Sequence, residues 1–322
     1  MTMRRREFLK RGTLVAGAPL FVTAWPSATL DAFQQTAPAG NLDRIGIATW
    51  SFRHMLVTGQ GRGGRAGAAA PAAPAAPPAR ALMTALDAPK FVREELGLRQ
   101  LEIIINHLDE RTVAYAEKVR AAADAVGVKF INFQLGGQMS NPDPAARAAS
   151  INEIKEGMKI AAALGAPSVR ADVGGAAGQT LDLAITAESY KQLVDFGATI
   201  GVMPMPENHG GHSSDPDKLV SIMKAVDPRV KAIVDWGNWT VQDQAQRIEF
   251  TKKLLPYAGI LSAKFDRFDE NYRPNYDVAE LVKMVEASGY RGKYSIEITT
   301  APADMVRAAT VARETIAANL AK

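Results

Sequence analysis

The chain has 322 residues, 47% hydrophobic and 22% charged, enough for one large domain or two small ones. It has no cysteine, which excludes structural disulfides, thiolate catalysis and Cys-ligated zinc or iron–sulfur centres; four histidines also argue against a His-rich multi-zinc site. The 38 basic and 34 acidic residues give a net charge of +4, with no basic stripe of the kind that binds nucleic acid.

Residues 1–39 read as an address. Arg5-Arg-Glu-Phe-Leu-Lys10 matches the twin-arginine export pattern. The apolar run from Gly12 to Trp25 is shorter than the roughly 20 residues a membrane span needs, so a cleavable signal segment is expected rather than a stable membrane anchor. Export would place the mature protein in the periplasm. Residues 1–39 carry five basic and two acidic residues, so their removal leaves a balance of +1.

From residue 40 onward one device recurs. A helical pattern ends, a glycine follows, and a short apolar run begins within a few residues. Gly97, Gly127, Gly165, Gly201 and Gly289 all stand at such points, where a left-handed conformation ends a helix without a Cβ penalty. In chain order the predicted strands are Ile45–Thr49, Leu101–Ile105, Val128–Phe133, Ser168–Asp172, Val202–Pro206, Val230–Asp235, Gly259–Lys264 and Tyr294–Glu297. Helical patterns fall at about 82–96, 112–126, 144–164, 187–200, 216–226, 243–255, 277–288 and 302–319. Spacings of about 28–39 residues between most strands are the length of a βα unit. Eight such units predict an α/β fold over residues 40–322: a closed parallel sheet, the (β/α)8 barrel. The Ala/Pro/Gly-rich stretch 59–80 breaks the rhythm; it cannot pack a core and is expected as a flexible insertion after the first strand.

In such a barrel the chemistry gathers at the C-terminal ends of the strands. Those ends offer Trp50, His107, Gln134, Arg170 with Asp172, Glu207 with His209, Asp235 with Asn238, Ser262 with Lys264, and Glu297. Arg170 and Asp172 are two apart and share a face, as do Ser262 and Lys264. Glu207, Asp235 and Glu297 are costly to bury together without a cation. Oxygen donors of this kind suit Mn2+, Mg2+ or Co2+; Arg170, Lys264 and His209 are alternative sources of positive charge. Trp50, Trp236 and Trp239 could wall a sugar ring, although barrel aromatics more often serve packing.

Glu207-Asn-His209, Asp235-Trp-Gly-Asn238, Ala263-Lys264 and Ile296-Glu297 together resemble the xylose isomerase-like barrel family, which includes sugar phosphate isomerases and epimerases. The resemblance implies a divalent metal held by Glu207, Asp235, a strand-seven residue and Glu297, with the two glutamates serving as acid and base on opposite faces of a sugar carbon. It departs from the family at strand seven, where His-x-Lys is replaced by Ser262-Ala-Lys264, so Ser262 stands where imidazole is expected and the metal should be held more weakly. His209 and Lys264 join the glutamates as expected catalytic groups; Trp50, His107, Gln134, Arg170, Asp172 and Asn238 are expected to contact substrate.

The reading that follows is an exported isomerase or epimerase. It would act on a non-phosphorylated sugar or keto-sugar by metal-assisted proton abstraction beside a carbonyl. Two alternatives stand beside it: a lyase or hydrolase of oxidised (3-keto) glycosides, and a non-catalytic sugar-binding barrel with a degenerate metal site. The expected partner is a small-molecule carbohydrate, and the sequence leaves homo-oligomerisation open.

Overall fold

A computed structural model describes residues 41–58, 82–176, 179–241 and 243–321. Residues 1–39, expected as a signal segment, and the stretch 59–80 lie outside them. Immediately around that stretch the chain returns to its starting point: Leu56 and Met83 form a parallel bridge, with Val57 N–H donating to the Met83 carbonyl at 2.9 Å.

Eight strands alternate with helices in the predicted order. They are β1 (Ile45–Ala48), β2 (Gln100–Ile104), β3 (Lys129–Gln134), β4 (Ser168–Arg170), β5 (Met203–Met205), β6 (Ala232–Asp235), β7 (Ala258–Phe265) and β8 (Lys293–Ile298). The helices are α1 (Ala88–Glu94), α2 (Val113–Ala125), α3 (Pro144–Leu164), α4 (Leu183–Ile200), α5 (Pro216–Ala225), α6 (Gln244–Leu254), α7 (Val278–Ala287) and α8 (Met305–Ala317). All strand pairs are parallel, in the order β5-β4-β3-β2-β1-β8-β7-β6. This is a nearly closed (β/α)8 barrel.

Local chemistry explains the alternation. Asp143 caps α3 by accepting from Ala145 N–H, Pro144 starts the first turn, and Gly165 ends the helix at φ 76°. The other four glycines read as helix terminators also take positive φ, from 65° to 88°. Strands buried on both faces read as apolar runs because helices cover them outside and other strand residues fill the inside.

Between β5 and β6 the closure narrows to one bridge, Glu207 to Ile233, where Ile233 N–H donates to the Pro206 carbonyl at 2.9 Å. Asn208 seals that seam. Its side-chain amide donates to the Asp235 carbonyl at 2.7 Å and accepts from Asp235 N–H at 2.8 Å. The opposite end of the barrel is tied by Arg44 and Glu286, a buried bidentate ion pair at 2.7 and 2.8 Å. The Tyr294 hydroxyl and the Ala321 N–H also donate to Glu286.

Candidate active site

The site follows from register. Parallel pairing sets Asp235 of β6 beside Ser262 of β7, and Lys264 of β7 beside Glu297 of β8. Ser262 and Lys264, two apart, both face inward, so the acids of β6 and β8 reach the same lysine. The Lys264 ammonium lies 2.9 Å from Asp235 Oδ2, 3.0 Å from Glu297 Oε1 and 2.7 Å from Asn238 Oδ1. Ser262 donates its hydroxyl to Asp235 Oδ2 at 3.0 Å, and Asp235 Oδ1 accepts from the N–H groups of Gly237 and Asn238.

A second cluster stands across from it. Arg170 of β4 donates to Glu207 Oε2 at 3.0 Å and lies 3.3 Å from Asp172. His209 Nδ1 is 3.3 Å from the other oxygen of Asp172. Asn238 joins the two clusters, since its amide N–H donates to Glu207 Oε1 at 3.2 Å while its oxygen accepts from Lys264. The predicted residues Gln134, Arg170, Asp172, Glu207, His209, Asp235, Asn238, Ser262, Lys264 and Glu297 are thus joined by hydrogen bonds and ion pairs.

Beneath them lies a buried layer that the strand-end reading did not assign. Glu102 of β2 accepts from Asn132 at 2.6 Å, Gln134 at 2.9 Å and Ser295 at 2.6 Å. Gln134 in turn accepts from Arg170 at 3.1 Å. The signal was present as a lone carboxylate inside an apolar strand. Burial raises the Glu102 pKa, only partly offset by its three donors.

Burial and charge separate the two glutamates. Glu207 is pushed up to about 7, by desolvation first, with His209 and Arg170 pulling down and Asp235 and Glu297 pushing up. Burial would also raise Glu297, but the charge and hydrogen bond of Lys264, with His209 and Arg170, outweigh it and its pKa is lowered. Burial raises Asp235 against the pull of Lys264. Burial lowers Lys264, yet Asp235, Glu297 and Glu207 outweigh it, so its pKa is raised and it stays protonated.

The aromatic residues divide. Trp50 is half-buried, with the Arg53 guanidinium 4.2 Å from its ring centroid. His107 stacks on Trp50 at 6.2 Å but is itself buried, with Nδ1 at 2.8 Å from Thr49 Oγ1. In this arrangement His107 supports Trp50. Trp236 and Trp239 are buried packing residues; their indole N–H groups donate to the Lys264 carbonyl and to Thr251.

Whether a divalent ion fits is answered by these contacts. Lys264 already occupies the space between Asp235 and Glu297, and the Ser262 hydroxyl points its proton at Asp235. Glu207, Asp235, Glu297 and Ser262 as arranged are therefore not laid out to receive an ion. The compact carboxylate–imidazole group among the described residues is instead Asp172, Glu207 and His209, with ligand atoms all within 4.8 Å of one another. Arg170 already bridges its two carboxylates. Two surface grooves, one bordered by Glu188 and Asp227 and one by Pro256 and Met284, lie on the outer helices, away from this chemistry.

Solved structures with the same architecture include a xylose isomerase domain protein of Planctomyces limnophilus, 19% identical, TM-score 0.55, aligned over 69% of this chain and 88% of that one. The 3-keto-D-glucoside 4-epimerase YcjR of E. coli is 16% identical, TM-score 0.57, over 85% and 97%. The D-psicose 3-epimerase of Clostridium cellulolyticum H10 is 17% identical, TM-score 0.55, over 72% and 91%. At such identities these likenesses concern the fold. A search of curated proteins returned no sequence match. The sequence itself settles the family: residues 93–318, more than half of the chain, match the model of the xylose isomerase-like TIM barrel, and the chain belongs to that family.

Proposed function

We propose that this protein is a sugar isomerase or epimerase that moves a proton beside a carbonyl of a non-phosphorylated sugar or keto-sugar. The observation that carries the reading is that Glu207 and Glu297 stand in one polar network, joined through Asn238 and Lys264, with their pKa values displaced in opposite directions. Near neutral pH one glutamate can hold a proton while the other is ionised, which is the pairing that acid–base chemistry on two faces of a carbon requires. Glu297 removes the proton, the electron pair moves onto the carbonyl oxygen, and Glu207 returns a proton; the reverse reaction exchanges the roles. Lys264 and Arg170 keep the carboxylates ionisable and are the cations nearest the charge that develops. Trp50, with Arg53 over its ring and His107 stacked on it, is the proposed wall for the sugar ring.

For Mn2+, Mg2+ or Co2+ the donors would be Asp172, Glu207 and His209, a group whose two carboxylates Arg170 already bridges. The similarity to a 3-keto-D-glucoside 4-epimerase and to a D-psicose 3-epimerase favours keto-sugars as the first substrates to try. The test is a screen of free ketoses, aldoses and 3-keto-glycosides with the product identified by NMR. An isomer or epimer is expected. Loss of the aglycone would point to elimination, and tight binding without turnover to a sugar-binding barrel.

We also propose export through the twin-arginine route, supported by Arg5 and Arg6 in the pattern quoted above. Among the described residues no helix is long and apolar enough to cross a membrane. Changing both arginines to lysine should leave the chain in the cytoplasm; processed protein in the periplasm would refute the assignment.

A further inference from the structure

We propose that the ammonium of Lys264 is the resident cation of this chamber and that the site works without a divalent metal. The inference rests on the functional reading above for what the cation does, but not for where it sits.

Three observations converge. The first is saturation. An ammonium has three N–H donors, and Lys264 directs them at Asp235, Glu297 and Asn238 at 2.9, 3.0 and 2.7 Å. The lysine is buried, 6% exposed. An ion bridging the same carboxylate oxygens at ordinary metal–oxygen distances of about 2.0–2.2 Å would overlap that nitrogen.

The second observation is the slot that holds the stem. A Cβ added at Gly237 would come within 2.6 Å of Cβ, Cγ and Cδ of Lys264, so that glycine leaves the space through which the chain runs. The Lys264 carbonyl is fixed from two sides, by the Trp236 indole N–H at 3.1 Å and the Tyr276 hydroxyl at 2.5 Å. The lysine is built into the barrel wall along its whole length.

The third observation is Ser262. Its register partner is Asp235, to which it donates a hydrogen bond. A neutral hydroxyl that donates to the carboxylate complements an ammonium on the same oxygen, whereas a metal at that position would want a lone pair. Across the chamber Arg170 plays the parallel part, contacting both Asp172 and Glu207. Each pair of acids thus shares one buried organic cation.

In the proposed reaction this charge acts where the oxygen becomes negative. The C–H bond breaks, its proton passes to a glutamate carboxylate, and its electron pair forms the C=C bond of an enediolate as the carbonyl becomes C–O⁻. An ammonium N–H, released from Asn238 by the arriving oxygen, donates to that oxygen. Return of a proton to carbon reforms C–H and C=O. Atoms and charge balance with no oxidant, reductant or co-reactant.

The test reads metal binding without turnover, so it is independent of finding the substrate. Wild-type protein is chelated, desalted and titrated with MnCl2 and CoCl2 by calorimetry, with Mn2+ followed also by electron paramagnetic resonance. The expected result is no saturable binding tighter than about 1 mM, a level at which binding free energy is only about 4 kcal/mol. Micromolar binding abolished by either Asp235→Asn or Asp172→Asn would overturn the proposal. The double variant Lys264→Met with Ser262→His should bind Mn2+ at least about 10-fold more tightly than wild type. A folded double variant that gains nothing would overturn the claim that the lysine holds the ion's place. If the variant does not fold, the wild-type titration decides alone. Sugar turnover that requires bound metal would refute this inference while leaving the proposed reaction standing; absence of turnover on every sugar would do the reverse.

Discussion

At Glu207 a buried carboxylate is set between one guanidinium and two other acids, and its pKa is pushed up to about 7. A protonated carboxyl cannot accept a proton, so in the direction where Glu207 is the base, turnover should rise as pH climbs through about 7. Arg170 lowers that pKa, so Arg170→Met should move the rising limb to higher pH. A limb that stays in place would dissociate Glu207 from the profile. Glu207→Gln and Glu297→Gln should each reduce turnover by at least about 10²-fold, the lower range for a positioned acid or base. Both glutamates, Asp235, Arg170 and Lys264 were legible in the sequence because charged groups at strand ends have few structural excuses. What could not be read was how they pair. That Lys264 meets Glu297 while Ser262 meets Asp235 depends on the β6–β7–β8 register, and no single strand contains that information. Glu102 was visible as a residue, but its three partners come from β3 and β8.

At the scale of elements, the glycines and apolar runs located all eight strands, with ends differing by one or two residues in most cases. The start of α4 was less visible: the pattern predicted about 187, whereas Asp182 caps a helix beginning at Leu183. The role of Asn208 was hidden for a related reason. In sequence it is only the middle of the Glu207-Asn-His209 motif; in the fold both its hydrogen bonds go to the backbone of Asp235, on a strand with which β5 barely pairs. Asn208→Ala would leave a buried N–H and a buried carbonyl unpaired, at a cost of about 1–3 kcal/mol. Hydrogen exchange should accelerate first at Ile233 and Asp235. Uniform acceleration over the whole barrel would show that Asn208 is no local clamp.

For the whole molecule, stability and chemistry are held at opposite ends of the barrel. Arg44, Glu286, Tyr294 and Ala321 tie β1, α7, β8 and the C-terminal segment together beneath the sheet. Burial would raise Glu286, but hydrogen bonds from Arg44, Tyr294 and Ala321 outweigh it and its pKa is lowered. A depressed carboxylate stabilises above its unfolded pKa, and that contribution is lost as pH falls through the folded value. Arg44→Met removes the nearer of two cations at this buried charge, leaving Arg291 at 3.6 Å, and should cost up to about 3–5 kcal/mol. Turnover per folded molecule should be retained, as read by activity corrected for the folded fraction. A loss of turnover in the folded fraction would mean that the two ends are coupled. At the other end, the proposed chemistry moves a proton on carbon between Glu207 and Glu297. Its most direct measurement is the reaction run in D2O on a ketose or 3-keto-glycoside that the enzyme converts, with the product examined by NMR. Deuterium is expected at the carbon beside the carbonyl, with incorporation falling together with turnover in Glu207→Gln and Glu297→Gln. Deuterium incorporation and turnover that persist at the wild-type rate in both variants would contradict it.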